Sequence, residues 1–202
     1  MRFPALALLL LAQAPLPELK TEATDGGSVF IIPNDSPQPL TAFLIELVNY
    51  PGSFYTLWQD DITAESLAPG GVRRIPVSNM TVGAVPDYVK LQAALYADGS
   101  SSGVPERVAQ LVARRKSLLE TTRELIGRLE NAQAGVAAEL RQWAESIPVA
   151  TRANRDTQTA INQAAARALI GETAARVEAG SVTEALARLR VAEGVLAGGS
   201  TK

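Results

Sequence analysis

The chain contains neither cysteine nor histidine. Without cysteine there is no disulfide, no thiolate nucleophile and no lipid-anchored cysteine. Without histidine there is no Ser-His-Asp or Cys-His catalytic machinery, and zinc, copper and haem lose their usual ligands. No tight transition-metal site and no cofactor are therefore expected. Aromatic residues are few, at 5%, and charge is nearly balanced, with 19 Lys+Arg against 21 Asp+Glu. What remains is a chain of 202 residues that is 47% hydrophobic and 20% charged, the composition of a folded protein with one or two small cores.

The N-terminus carries a compartment signal. Arg2 provides a positive start, residues 5–12 (ALALLLLA) form an apolar run, and Ala12-Gln13-Ala14 matches the small-residue pattern at which secretory leaders are cut. The run is far shorter than the ~20 residues of a membrane-spanning helix, and no later apolar stretch of that length is free of charge, so no stable membrane span is expected. Residues 1–14 thus read as a signal peptide and the protein as exported, periplasmic or secreted. Pro15 disfavours cleavage directly after Ala14, and an apolar N-terminal strand or buried helix is the alternative.

Residues 15–27 mix Pro, Thr, Gly and acidic residues and read as a tether. Strand composition follows at 28–33 (SVFIIP), 40–50 (LTAFLIELVNY), 53–58 (SFYTLW), 72–77 and 88–96 (YVKLQAALY). In the second of these, Phe43, Ile45 and Leu47 share one face and Leu44, Glu46 and Val48 the other. Both faces are largely apolar, which suits a strand covered on two sides. Pro and Gly turns separate the strands and no helix intervenes, which predicts an antiparallel β-sandwich.

The pattern changes after 98–103 (DGSSSG), read as a turn and interdomain hinge, with Ser101 or Ser102 as a helix cap. Pro105 suits a first helical turn. From there to Ser146 apolar residues recur at threes, fours and sevens: Val108, Leu111, Val112, Leu118, Leu119, Leu125, Ile126, Leu129, Val136, Leu140 and Trp143. About 40 residues at ~1.5 Å each predict one helix of roughly 60 Å. An alanine-rich helix is expected over 151–179, and a third after Gly180, opened by Ser181 and Glu184 as a capping box. Residues 1–103 hold five basic and ten acidic residues, and residues 104–202 hold fourteen and eleven, which places the boundary near Gly103.

The predicted fold class is therefore α+β: a β-sandwich over 28–103, then a helical, coiled-coil-like region over 104–202, built as a long-helix antiparallel hairpin or three-helix unit. The two later helices are too short to cover the start of the long one. Its stripe of Val108, Leu111 and Val112 must meet either the sandwich, which the short connection favours, or a second chain. Arg115 and Thr122 near the heptad seam argue against a coiled coil.

Chemical motifs are sparse. Asp60, Asp61 and Glu65 read as a solvated acidic loop, with a weak calcium site as the alternative. Arg114-Arg115-Lys116 offers an anion-binding face, but Glu120 and Glu124 follow at pairing distance, so a solvated helix face is the plainer reading. The helical half lacks the basic stripe with interleaved aromatics of a nucleic-acid binder, and no nucleic-acid partner is expected. Tyr55, Trp58 and Tyr88 are the candidate stacking platforms for a carbohydrate.

Residues 34–43 (NDSPQPLTAF), Pro69-Gly70-Gly71, and the run from Ala94-Leu95-Tyr96-Ala97-Asp98-Gly99-Ser100 to Arg114-Arg115 resemble a group of uncharacterised exported bacterial proteins. In that group a small immunoglobulin-like sandwich runs into a helix. The resemblance covers roughly residues 28–116 and implies an immunoglobulin-like β-sandwich and export; it implies no catalytic residue. The expected function is a non-enzymatic exported protein that binds a protein partner, self-associates or scaffolds in the cell envelope. Its candidate interaction surface is Val108, Leu111, Val112, Arg114, Arg115, Tyr55 and Trp58. A carbohydrate-binding module is the alternative, and a carboxylate-based hydrolase the weaker one. Produced in a bacterial host, the chain is expected outside the cytoplasm and without Met1; recovery from the cytoplasm alone with Met1 intact would contradict the leader.

Overall fold

The computed structural model describes residues 15–50, 53–60, 66–78 and 88–198, without the side chains of 47–60, 78 and 88. The chain is α+β: its described residues form seven strands in two antiparallel sheets, then four helices. The strands are β1 (Lys20–Thr24), β2 (Gly27–Pro33), β3 (Leu40–Tyr50), β4 (Ser53–Asp60), β5 (Val72–Ser78), β6 (Tyr88–Tyr96) and β7 (Ser101–Gly103). One sheet runs β1-β2-β5 and the other β4-β3-β6-β7. The helices are α1 (Pro105–Glu130), α2 (Val136–Ser146), α3 (Gln158–Ala179) and α4 (Val182–Gly198). Among the described residues no helix is long and apolar enough to cross a membrane.

The two sheets share a core. Phe30 and Ile32 of β2 meet Phe43 and Ile45 of β3 and Leu91 and Tyr96 of β6, with Ile75 and Val77 of β5 at the margin. The opposite face of the four-stranded sheet is covered as well. Ala42, Leu44, Ala93 and Leu95 pack on Leu111, with Val108 beside them. β3 is thus buried on both faces, as its two apolar faces predict. A third cluster joins the helices through Leu118, Leu125, Leu129, Leu140, Ile170 and Leu189.

Four expectations are corrected. The tether over 15–27 contains a strand: Asp25-Gly26 forms the two-residue turn of the β1–β2 hairpin, with Gly26 at φ 88°, the left-handed conformation such turns require. The hinge at 98–103 is a hairpin. Asp98 Oδ1 accepts from the Ser100 N–H at 2.9 Å, Gly99 adopts φ 81°, and Ser101–Gly103 pairs with β6, so neither Ser101 nor Ser102 caps α1. The single long helix is two. Asn131 donates to the Gly127 carbonyl at 2.8 Å and Gly135 turns left-handed at φ 96°, so α1 ends at Glu130 and a new helix starts at Val136, although Leu129, Val136 and Leu140 continue the apolar spacing. Finally, α3 starts at Gln158 rather than at Thr151. The Asn154 carboxamide holds the Thr151 N–H at 2.7 Å, a local turn that competes with helix, and Thr157 caps α3 by accepting from the Ala160 N–H at 3.3 Å. The helical region therefore has four helices. Ser181 does receive the Glu184 N–H at 3.2 Å, as a capping residue should.

The passage from β7 into α1 is tight. Val104 N–H donates to the Gln92 carbonyl at 2.8 Å, and Pro105 occupies the first helical turn. Gly103, at φ 118°, sits so close that a Cβ would lie 2.1 Å from the Gln92 carbonyl oxygen. Gly103→Ala is expected to destabilise the fold by about 3 kcal/mol or more, from a forbidden backbone conformation combined with a backbone clash, read as a lowered urea midpoint. A midpoint within error of the parent would show that this crossing is slack.

Candidate functional site: the junction of helices and sheet

The most chemically unusual part of the molecule is where α1 crosses the four-stranded sheet. The stripe of α1 changes partner along its length. Val108 and Leu111 face the sheet, while Leu118, Leu125 and Leu129 face the helices. Arg115 lies between them and is only 2% exposed. Its Nη1 donates to Thr41 Oγ1 at 2.9 Å, and its Nη2 donates to the carbonyl of Val195.

Each partner is suited to a buried guanidinium. Val195 lies in the last turn of α4, where carbonyls lack an intrahelical donor and the helix dipole is negative. Thr41 sits at an irregularity in the register of β3 against β6, where Leu40 pairs with Tyr96 and Ala42 with Leu95. The extra residue gives its hydroxyl both roles: it accepts from Arg115 and donates to the Leu95 carbonyl at 3.1 Å. A buried cation is tolerated only when hydrogen-bonded, and here it joins β3, α1 and α4.

An ion pair lies toward the start of α1. Glu46 of β3, 6% exposed, pairs with Arg107 at 2.5 Å, and Arg107 also donates to Gln110 at 2.9 Å. Tyr96, at the end of β6, makes the third polar tie. Its hydroxyl donates to the Pro15 carbonyl at 2.8 Å and lies 3.3 Å from Ser102 Oγ. Burial raises the Tyr96 pKa, Ser102 opposes that shift, and Asp98 adds to it.

The structure divides the expected interaction surface. Leu111 is fully buried and Arg115 nearly so; both are removed from it, and the solvated-face reading fails at Arg115. The helical period places residue 115 on the same stripe as 111 and 118, beneath the layer that closes over them. Val108 is half-buried, and so is Arg114, whose guanidinium burial lowers to about 10, still cationic at neutral pH. Val112 is 43% exposed and Lys116 is exposed. The side chains of Tyr55, Trp58, Tyr88 and Asp60, and residues Asp61 and Glu65, lie outside those described. Thr41, Glu46, Arg107 and Tyr96 were not singled out from the sequence. A glutamate inside a strand with two apolar faces demands a cation, but nothing in the linear order points to Arg107.

Among the described residues no three carboxylates form a metal-holding group. A cavity of about 150 Å³ opens at the α3–α4 corner beside Arg176, Gly180, Ser181 and Glu184, where Arg176 is engaged by Glu172. No protein-family model, no curated protein and no solved structure matches the chain.

Arg115→Ala is expected to cost about 2–4 kcal/mol, because the Val195 carbonyl and Thr41 hydroxyl lose a charged donor and a void is left. Arg115→Met should recover part of that loss by filling the volume. Equal stability of all three proteins in urea titrations would show that the bond network carries nothing. For Tyr96, the raised folded pKa means that its stabilisation is intact below the ordinary phenol value of 10.0 and is lost as pH rises through the higher folded value. The parent should therefore lose stability relative to Tyr96→Phe above pH 10, and parallel curves would contradict the burial.

Proposed function

We propose that the chain is an exported, non-enzymatic protein that works by holding a protein-binding surface in the cell envelope. The observation that carries this reading is the use made of buried polar groups. Arg115, Thr41, Glu46 and Tyr96 each spend their hydrogen-bonding capacity on joining layers of this chain. They do not converge on a shared cleft where a reacting atom would sit. A molecule that commits its few buried charges to joining helices to a sheet is suited to presenting surfaces at a fixed spacing.

Export rests on the leader-like residues 1–14. An immunoglobulin-like arrangement of the two sheets belongs to the same reading. Its support is the antiparallel pairing throughout, the face-to-face core, and the likeness of residues 28–116 to exported bacterial sandwiches that continue into a helix. The surface we assign to a partner is the outer side of α1 around Val112 and Lys116, now that Leu111 and Arg115 are taken by the interior.

The test uses the full chain carrying a photo-crosslinkable residue at Val112, a position whose exposure keeps the fold intact. Irradiated in the envelope of its host, it should give a discrete protein adduct. The same residue at Arg188, exposed on α4, should not. Specific micromolar binding on a glycan array, or hydrolysis of a polysaccharide panel by the unmodified chain, would replace the reading.

A further inference from the structure

The N-terminal arm, residues 15–24, has the features of a part that opens before the rest. In β1, four of five residues are exposed, and it is an edge strand that pairs with β2 alone. Ahead of it, Pro17 is buried, Leu19 packs at the margin of the inter-sheet core, and Pro15 is held by the Tyr96 hydroxyl. Residues 15–19 therefore cross from Tyr96 in one sheet to β1 in the other. The ion pair between Glu22 and Arg74 is more than half exposed at both ends and contributes little.

The seat of this arm is deeper than the arm itself. β2 supplies Phe30 and Ile32 to the core, both 0% exposed, and Tyr96 is buried. Release of the arm would uncover a hydrogen-bonding strand edge next to apolar side chains, which is a strand-accepting surface. The occupant such a seat fits best is the one whose contacts are already matched to it.

We infer that this chain self-associates by exchanging residues 15–24 between two copies, each arm seated on β2 and Tyr96 of the other. The exchanged and closed forms share every contact of the arm. They differ at the Asp25-Gly26 turn, which opens to an extended link, and in the entropy of association. Proline at 15 and 17 fixes φ and keeps the arm extended when free, which lowers the cost of seating it on another molecule. The two-fold arrangement closes on itself, so a dimer and not a chain of copies results. This inference goes beyond the partner-binding surface on α1 and does not depend on it.

The sequence offers a clean assay because the chain has no cysteine. Glu22 and Val29 are opposite each other in the β1–β2 register. Copies carrying only Glu22→Cys are mixed with copies carrying only Val29→Cys, and a mild oxidant is added. Exchange predicts a disulfide-linked pair of one copy of each kind. In sedimentation, the unmodified chain should show a species of twice the chain mass that grows with concentration. Tyr96→Phe should speed the approach to that equilibrium about fivefold, the effect of losing one hydrogen bond, without changing the final fraction. A chain that stays monomeric at all concentrations overturns the inference. So does a dimer that gives no mixed disulfide, since it would use another surface, or a Tyr96→Phe variant that loses the dimer.

Discussion

Arg115 sits where the architecture changes character. N-terminal to it, α1 is a helix laid on a sheet; C-terminal to it, α1 is one member of a helical cluster. An apolar residue at that point would have satisfied the stripe but left two groups without a donor: the last-turn carbonyl of Val195 and the hydroxyl of Thr41. The guanidinium is planar, carries donors in a fixed fork, and reaches both. Removing it would leave two acceptors in different elements without a charged donor, a loss beyond the void alone. The seam between sheet and helices is thus held by a directed interaction, flanked by apolar packing at Leu111 on one side and Leu118 on the other.

That seam needs a sheet able to receive it. β3 and β6 are buried on both faces, an arrangement more familiar in parallel sheets than in antiparallel ones. The core between the sheets takes Phe43, Ile45, Leu91 and Tyr96, and the helix takes Ala42, Leu44, Ala93 and Leu95. The helix-facing set is the smaller, with two alanines, so α1 approaches closely. Register irregularities at Leu40/Ala42 and Leu44/Ile45 allow this close fit. The first brings Thr41 to Arg115. The second makes Gln92 the extra residue of β6, and its carbonyl receives the Val104 N–H that starts the helix.

The parts of this fold that were legible in the sequence are those set by local periodicity. The two apolar faces of 40–50, the proline at 105, the stripe through Leu111 and Leu118, and the serine cap at 181 all follow from spacing and turn chemistry. The Asp25-Gly26 turn was equally local, yet its flanks, Lys-Thr-Glu-Ala-Thr on one side, are polar and bury almost nothing, so the strand carried no hydrophobic signal. The break at 131–135 was masked for the opposite reason: the apolar spacing runs through it, and only Asn131 and Gly135 mark it. The spacing placed Arg115 on the apolar stripe, but its partners were not legible. Inside a run of three cations followed by glutamates, it reads as part of a solvated face, and nothing in the linear order points to Thr41 or the Val195 carbonyl. Glu46 and Arg107, separated by the whole of β4 to β7, meet only through tertiary structure.

The connection between sheet and helices shows how composition misleads about rigidity. Asp-Gly-Ser-Ser-Ser-Gly has the make-up of a flexible linker. In place, Asp98 closes the turn, Ser101 and Ser102 pair with β6, and Gly103 is wedged against the Gln92 carbonyl, where no other residue fits. Glycine serves here because the backbone passes too close for a side chain, not because the chain must bend freely. With the Gly103–Gln92 approach just before α1 and the Glu46–Arg107 and Arg115–Thr41 contacts along its first three turns, the helix is tied to the sheet at several points. Any surface built on α1 then keeps its spacing from the sheet edges without an ordering cost at the moment of binding.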